Sequence, residues 1–263
     1  MIVMVRLLLT LYFTCLAALT TSFSYAAETR CERPLVVGYS GDWFPYFNKT
    51  GKHYGGLDYI LLKRTLARLG CSLEVLPMTE VRSLIEQKKG TFDVSIGASL
   101  TTSRKQDFIF SAPYRQEKIG LLARSMQGFP THVNLKYVVE QKKIIAINQA
   151  GYFGPKVEVA QTIFSNNFRH GFNLADRIKM LEDKKVDAVI DDYTALCLAL
   201  QRLISSTNNN GPAPFFLSSE VLHESNIYYI FSKHTTSPSF VNQFNDALNA
   251  ELSGHTQNQK CVP

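Results

Sequence analysis

The sequence predicts an α/β fold of two doubly wound lobes joined by two crossings. Three observations carry this. Strand and helix patterns alternate along the chain, the alternation occurs as two separate β-α-β series, and turn-rich segments bracket the second series. Parallel neighbours need a helical crossover, so such series are the signature of a doubly wound sheet. A second series bounded on both sides makes two lobes the simplest account. A ligand cleft then lies between them.

The elements follow in order. Residues 35–39 form an apolar strand, and Leu57, Leu61, Leu62, Leu66 and Leu69 recur at helical spacing, with Gly70 as the stop. A strand ends near Pro77, and residues 79–88 read as a helix with Thr79 at its start and Gly90 beyond its end. Phe92, Val94 and Ile96 alternate as a strand that Gly97 is expected to end. Residues 118–124 are β-like and lead into the turn-rich 126–130. The second series has strands at 144–147 and 186–190 and helices at 156–164, 176–183 and 194–204. After the Asn-Gly-Pro loop 208–212, strands return at 215–217 and 227–231. A helix capped by Ser237 closes the chain at 238–252. Crossings are expected near 122–124 and 218–221, with no single sheet running through both series. The division is 28–122 for the first lobe, 123–219 for the second, and 220–263 returning to the first.

Residues 1–27 read as a removable leader. A short basic start ending at Arg6 precedes an apolar run, and Ser24-Tyr25-Ala26 is a small-x-small cleavage site. The apolar run is too short for a retained membrane helix. An exported, periplasmic chain is therefore expected. Its 28 Lys and Arg against 22 Asp and Glu give a net charge of +6, without a basic stripe interleaved with aromatics, which excludes nucleic acid as the expected partner. Past the leader four cysteines remain, and in an exported chain an even number favours disulfides. Cys31 and Cys71 each precede a strand of the first series. Adjacent parallel strands begin at one edge, so these two are expected to pair, which leaves Cys197 with Cys261. No Cys or His spacing suits zinc, and no metal or cofactor is expected.

One segment carries most of the chemistry. At the end of the strand through Phe92, the hydroxyls of Ser99, Thr101, Thr102 and Ser103 stand beside Arg104. Hydroxyls, backbone N–H groups and a guanidinium at a strand's C-terminal edge suit the binding of a small carboxylate.

With that segment in place, the chain resembles the family-3 bacterial extracellular solute-binding proteins, the bilobal type II periplasmic receptors of amino-acid uptake. The motifs are LVVGYSGDWFPY (35–46), GGLDYILLKRTLARLG (55–70), GTFDVSIGASLTTSRKQDFIFSAPY (90–114), KIIAINQAGY (143–152) and KKVDAVIDDYTALCLAL (184–200), in the family's order. The resemblance implies a type II periplasmic-binding-protein fold, with Trp43 stacking on the ligand ahead of Pro45 and Tyr46. Arg104 in Thr101-Thr102-Ser103-Arg104 would hold an α-carboxylate, with Ser99 and Thr101 beside it. The turn Gln149-Ala150-Gly151-Tyr152 would bind the anion from the other lobe, and Asp192 would take the α-ammonium. Asp191 is able to exchange roles with Asp192. A zwitterion does need an opposed cation and anion, and a guanidinium gives a carboxylate two parallel bonds that Lys cannot.

The chain departs from the family pattern at Thr102, where Pro is usual, at Ile60, and at Tyr152, where a Thr or Ser is usual. A phenol at Tyr152 would reshape the site. The expected function is capture of a small polar solute, an amino acid foremost, by a monomer serving an inner-membrane ABC permease. A periplasmic sensor and a dehydratase-like enzyme on the same fold are the alternatives. Glu220 and His223 are the acid–base candidates for the enzyme, although no catalytic motif is present and no catalytic residue is assigned.

Overall fold

A computed structural model describes residues 31–125, 133–206, 214–254 and 261. The expected leader and the segments 126–130 and 208–212 lie outside the described residues. The first series comprises β1 (Leu35–Tyr39), a hairpin of β2 (Asn48–Thr50) and β3 (His53–Gly55), α1 (Leu57–Arg68), β4 (Leu73–Pro77), α2 (Glu80–Lys88), β5 (Val94–Ser99), α3 (Thr102–Asp107) and β6 (Phe108–Phe110). Strand β7 (Arg115–Arg124) leads to the second series: α4 (Leu135–Glu140), β8 (Ile145–Ile147), α5 (Pro155–Ile163), β9 (Phe168–His170), α6 (Leu174–Glu182), β10 (Ala188–Asp192) and α7 (Tyr193–Ser206). The chain returns through β11 (Phe215–Leu217) and β12 (His223–Ser232) and ends on α8 (Pro238–Ser253).

β1 pairs in parallel with β4 and β5, and β8 pairs in parallel with β10 and β9. These are the two doubly wound halves that the repeated pattern implied. Each has its own core. Leu35, Val37, Leu62, Leu66 and Val94 pack against Phe244 and Leu248 of α8 in one, while Ile119, Leu121, Val138, Ile145 and Ile190 form the other. The apolar stripe of α1 therefore faces the first core, as its periodicity demands.

The expectation of separate sheets is corrected. Hydrogen bonding runs without a break in the order β4-β1-β5-β12-β7-β10-β8-β9. β7 and β12, ten residues each, are the reason. At about 3.3 Å per residue each is long enough to serve both lobes. Residues 115–119 of β7 pair with 223–227 of β12, and beyond them each strand takes partners in a different lobe. The crossings are thus at 115–119 and 223–227, displaced from 122–124 and 218–221. Ile119, Leu121 and Leu122 are fully buried in second-lobe packing, so the apolar run anchors a core. The polar run Arg115-Gln116-Glu117-Lys118 makes the crossing.

Both expected disulfides are present. The parallel register sets Leu35 beside Leu73, which brings Cys31 and Cys71 to a Cα separation of 5.3 Å. Cys197 in α7 reaches Cys261 with a Cα separation of 6.1 Å. Gly97 does not end its strand. It sits inside β5 at φ 78°, opposite a register shift in β12, and a Cβ there would overlap the Trp43 ring. Glycine is required here by both backbone and space.

Candidate functional site

A cavity of about 160 Å³ lies between the lobes. Its walls come from the C-terminal ends of β5 and β10, the loop after β1, the start of α2, the crossing strand β7 and the turn 148–153. Doubly wound sheets place ligands at the carboxyl ends of their strands, and both lobes turn those ends toward this space. Ser99, Arg104, Gly151, Tyr152, Trp43 and Asp192 all line it. Thr101 does not. It lines a wider outer cleft of about 870 Å³, separated from the inner cavity by Arg104, Ala150, Gly151 and Tyr152, which border both.

Arg104 is held by its local sequence. Thr101 caps α3, its Oγ1 accepting from the Arg104 backbone N–H at 3.3 Å. The guanidinium donates to Ser99 O at 2.9 Å and, across the cleft, to Ala150 O at 2.8 Å. It forms no ion pair with a described residue. Burial draws its pKa below the usual guanidinium value, with the nearby Glu117 charge opposing that shift. In the second-lobe turn, Ala150 N–H donates to Asn148 Oδ1 at 2.7 Å, and Tyr152 meets His223 edge to face with ring centroids 5.5 Å apart.

The aromatic loop after β1 leans onto the second lobe. Trp43 Nε1 donates to Asp191 Oδ1 at 3.0 Å, and Tyr46 OH donates to Asp192 Oδ1 at 2.8 Å. Tyr46 packs in the second lobe's core although its sequence neighbours belong to the first. The Arg115 guanidinium lies 3.8 Å from the Tyr46 ring centroid and 5.2 Å from that of Trp43, a cation–π stack. Trp43 therefore presents one edge to an acid while lining the cavity.

Asp192 is more occupied than expected. It caps α7 by accepting from Ala195 N at 2.9 Å, takes the Tyr46 hydroxyl, and lies 3.6 Å from Arg115 Nη1. Burial, opposed by Arg115, pushes its carboxyl up to about 6. Asp191 also lines the cavity and pairs with Arg177 Nη2 at 2.6 Å. Arg177 is buried and reaches Glu80 as well, at 3.5 Å. Desolvation raises Glu80 to about 8 despite that arginine.

Glu117 completes the acidic wall. Strand alternation puts it on the same buried face of β7 as Arg115, whose Nη2 is 3.9 Å away. Burial pushes Glu117 up to about 8, against the pull of Arg115. Sequence reasoning missed Glu117, Arg115, Arg177 and Glu80. The alternation Arg-Gln-Glu-Lys-Ile before the apolar run was the available signal for the first two. The acid–base candidates lie elsewhere: Glu220 accepts from Leu135 N at 2.8 Å and from Lys156 Nζ at 2.9 Å, and His223 rests against Tyr152. Among the described residues no group of His, Cys, Asp and Glu could hold a metal ion, and no helix is long and apolar enough to cross a membrane.

Residues 35–256 match the family model of bacterial extracellular solute-binding proteins, family 3. No curated protein matches the sequence. Among solved structures, the arginine-, lysine-, histidine-binding protein ArtJ from Geobacillus stearothermophilus superposes with a TM-score of 0.69 at 20% identity, over 84% of this chain and 90% of that one. A histidine kinase sensor domain with similarity to periplasmic binding proteins gives 0.71 at 15% identity, over 84% and 91%. The ancestral amino acid-binding protein AncCDT-1, a precursor of cyclohexadienyl dehydratase, gives 0.67 at 19% identity, over 82% and 88%. At these identities the likeness is one of fold.

Proposed function

The chain belongs to family 3 of the bacterial extracellular solute-binding proteins, and on that footing we propose that it captures a small amino acid in the interlobe cavity for ABC-type uptake. One observation carries the reading. Arg104 from the first lobe and the Asp191-Asp192 pair from the second line the same cavity, the arrangement that an α-carboxylate and an α-ammonium need. Charge-assisted bonds of this kind contribute about 1.5–3 kcal/mol each. A solute touching both lobes favours closure, because it gains its full set of contacts only in the closed form. In this reading Trp43 covers the solute, Ser99 and Gly151 add polar contacts, and Tyr152 limits its size. Thr101 acts by holding the Arg104 loop. The mature chain works as a monomer in the periplasm, without a cofactor and without catalysis.

A thermal-shift screen of the mature protein against amino acids, polyamines and small carboxylates tests this. A ligand that binds only the folded state raises the melting temperature. The expected result is a shift with at least one amino acid. Shifts confined to cyclic carboxylic acids, with turnover, would instead place the chain with the dehydratase-like relatives.

A further inference from the structure

We propose that Glu117, on the crossing strand β7, receives the solute's ammonium, and that the solute is accordingly an amine-bearing one of compact size. The inference rests on the amino-acid reading above and moves its cation site from Asp192 to the crossing.

The carboxylates around the cavity are unequally engaged. Asp192 is taken by Tyr46 OH, Ala195 N and Arg115, and Asp191 by Trp43 Nε1, Arg177 and the Asp192 backbone N–H. Glu80 has Arg177. Glu117 lines the cavity with a side chain only 7% exposed, yet accepts no hydrogen bond from a described residue. Its nearest cation, Arg115 Nη2, is 3.9 Å away, and that guanidinium already lies 3.0 Å from Asp58 and 3.6 Å from Asp192. A buried carboxylate left without a donor is costly. An ammonium in the cavity supplies three donors and the missing charge.

The wider charge balance agrees. Among the described residues, Asp58, Glu80, Glu117, Asp191 and Asp192 have Arg115 and Arg177 as their ion-pair partners, and Arg104 lines the cavity without one. If Arg104 turns to the solute's carboxylate, the remaining acids outnumber their cations further, and a positively charged group is what the site lacks. The elevated Glu117 carboxyl fits this, since without a cation it keeps its proton. Size is set by volume. About 160 Å³ is close to the roughly 150 Å³ cavity known to admit benzene, so the inner cavity suits on the order of six to eight heavy atoms.

The test is calorimetry on wild type, Glu117→Gln and Arg104→Ala. The titrants are small amino acids, their 2-hydroxy-acid counterparts and short diamines. Amino acids should bind wild type while the matched hydroxy acids do not, and Glu117→Gln should lose at least tenfold in affinity with its melting temperature maintained. If Glu117→Gln fails to fold, Glu117→Asp, which keeps the charge but shortens its reach, should show an intermediate loss. Amino-acid binding that survives Glu117→Gln but not Arg104→Ala overturns the Glu117 assignment and leaves the amino-acid reading standing. Diamines that bind through Glu117 while amino acids do not would do the reverse. Hydroxy acids binding as well as amino acids, or no titrant binding, overturns both.

Discussion

Two guanidiniums at the lobe junction, the half-buried Arg104 and the buried Arg115, could hardly be used more differently. Arg115 sits on the crossing strand with Asp58 at 3.0 Å, Asp192 at 3.6 Å, Glu117 at 3.9 Å and the Tyr46 ring at 3.8 Å. These acids hold its pKa well above the usual guanidinium value despite burial. Among the described residues the Arg104 guanidinium hydrogen-bonds to the carbonyls of Ser99 and Ala150 alone, and its pKa moves the other way. A guanidinium ringed by acids fixes geometry, here through an Nε–Asp58 bond and through charge, with Nη1 and Nη2 making no hydrogen bond to a described residue. One resting on neutral carbonyls keeps its charge for an incoming anion. In the proposed reading the first arginine belongs to the frame and the second to the site.

The largest effect expected from that contrast is on stability. Arg115→Ala should destabilise the fold by about 3–5 kcal/mol, because Asp58 and Asp192 would remain buried without their cation. Urea denaturation of the ligand-free protein measures this. An Arg115→Ala protein as stable as wild type that had lost only solute binding would erase the distinction between the two arginines.

Arg104→Ala should do the opposite. Its melting temperature should stay within a few degrees of wild type, while affinity for a carboxylate-bearing solute falls by about 2–5 kcal/mol. Arg104→Lys should restore only part of the loss, since the two parallel bonds are gone. Equal affinity in calorimetry across wild type and both variants would make Arg104 a second structural arginine.

The acids between the two arginines give the smallest effect, on pH dependence. Glu80 and Glu117 are raised to about 8 from an ordinary 4.5. Between those values the folded protein binds more protons than the unfolded chain, so stability falls as pH rises. The ligand-free melting temperature should be higher near pH 5 than near pH 8.5, by roughly a few degrees, and Glu117→Gln should flatten the slope. A profile rising over that range would mean that these carboxylates are ionised and paired in the folded protein, leaving Glu117 no need of a solute ammonium.

Much of this could be read along the chain. The leucine spacing of α1 and the alternation through Phe92 locate elements because burial imposes a period on each. The Cys31–Cys71 pair follows from parallel register, and Arg104 stands out because hydroxyls and a strand end flank it. The acids were harder. Asp191 and Asp192 are adjacent at the end of β10, and their distant partners come from the aromatic loop after β1, from β7 and from α6. Asp192 proved to be a helix cap as well as a wall of the cavity.

The sequence by itself determined the two α/β series, the Cys31–Cys71 disulfide and the loop that offers Arg104, because local period, strand order and turn chemistry are properties of neighbours in the chain. Only the tertiary structure decided that one sheet passes through both lobes, that Arg115 and Arg177 neutralise some acids, and that Glu117 is left over. Several of those outcomes depend on charges that meet from far apart in the chain, as Asp58 meets Arg115 at a separation of 57 positions. Electrostatic pairing in a dry interior is set by distance in space, and composition and spacing carry no record of it.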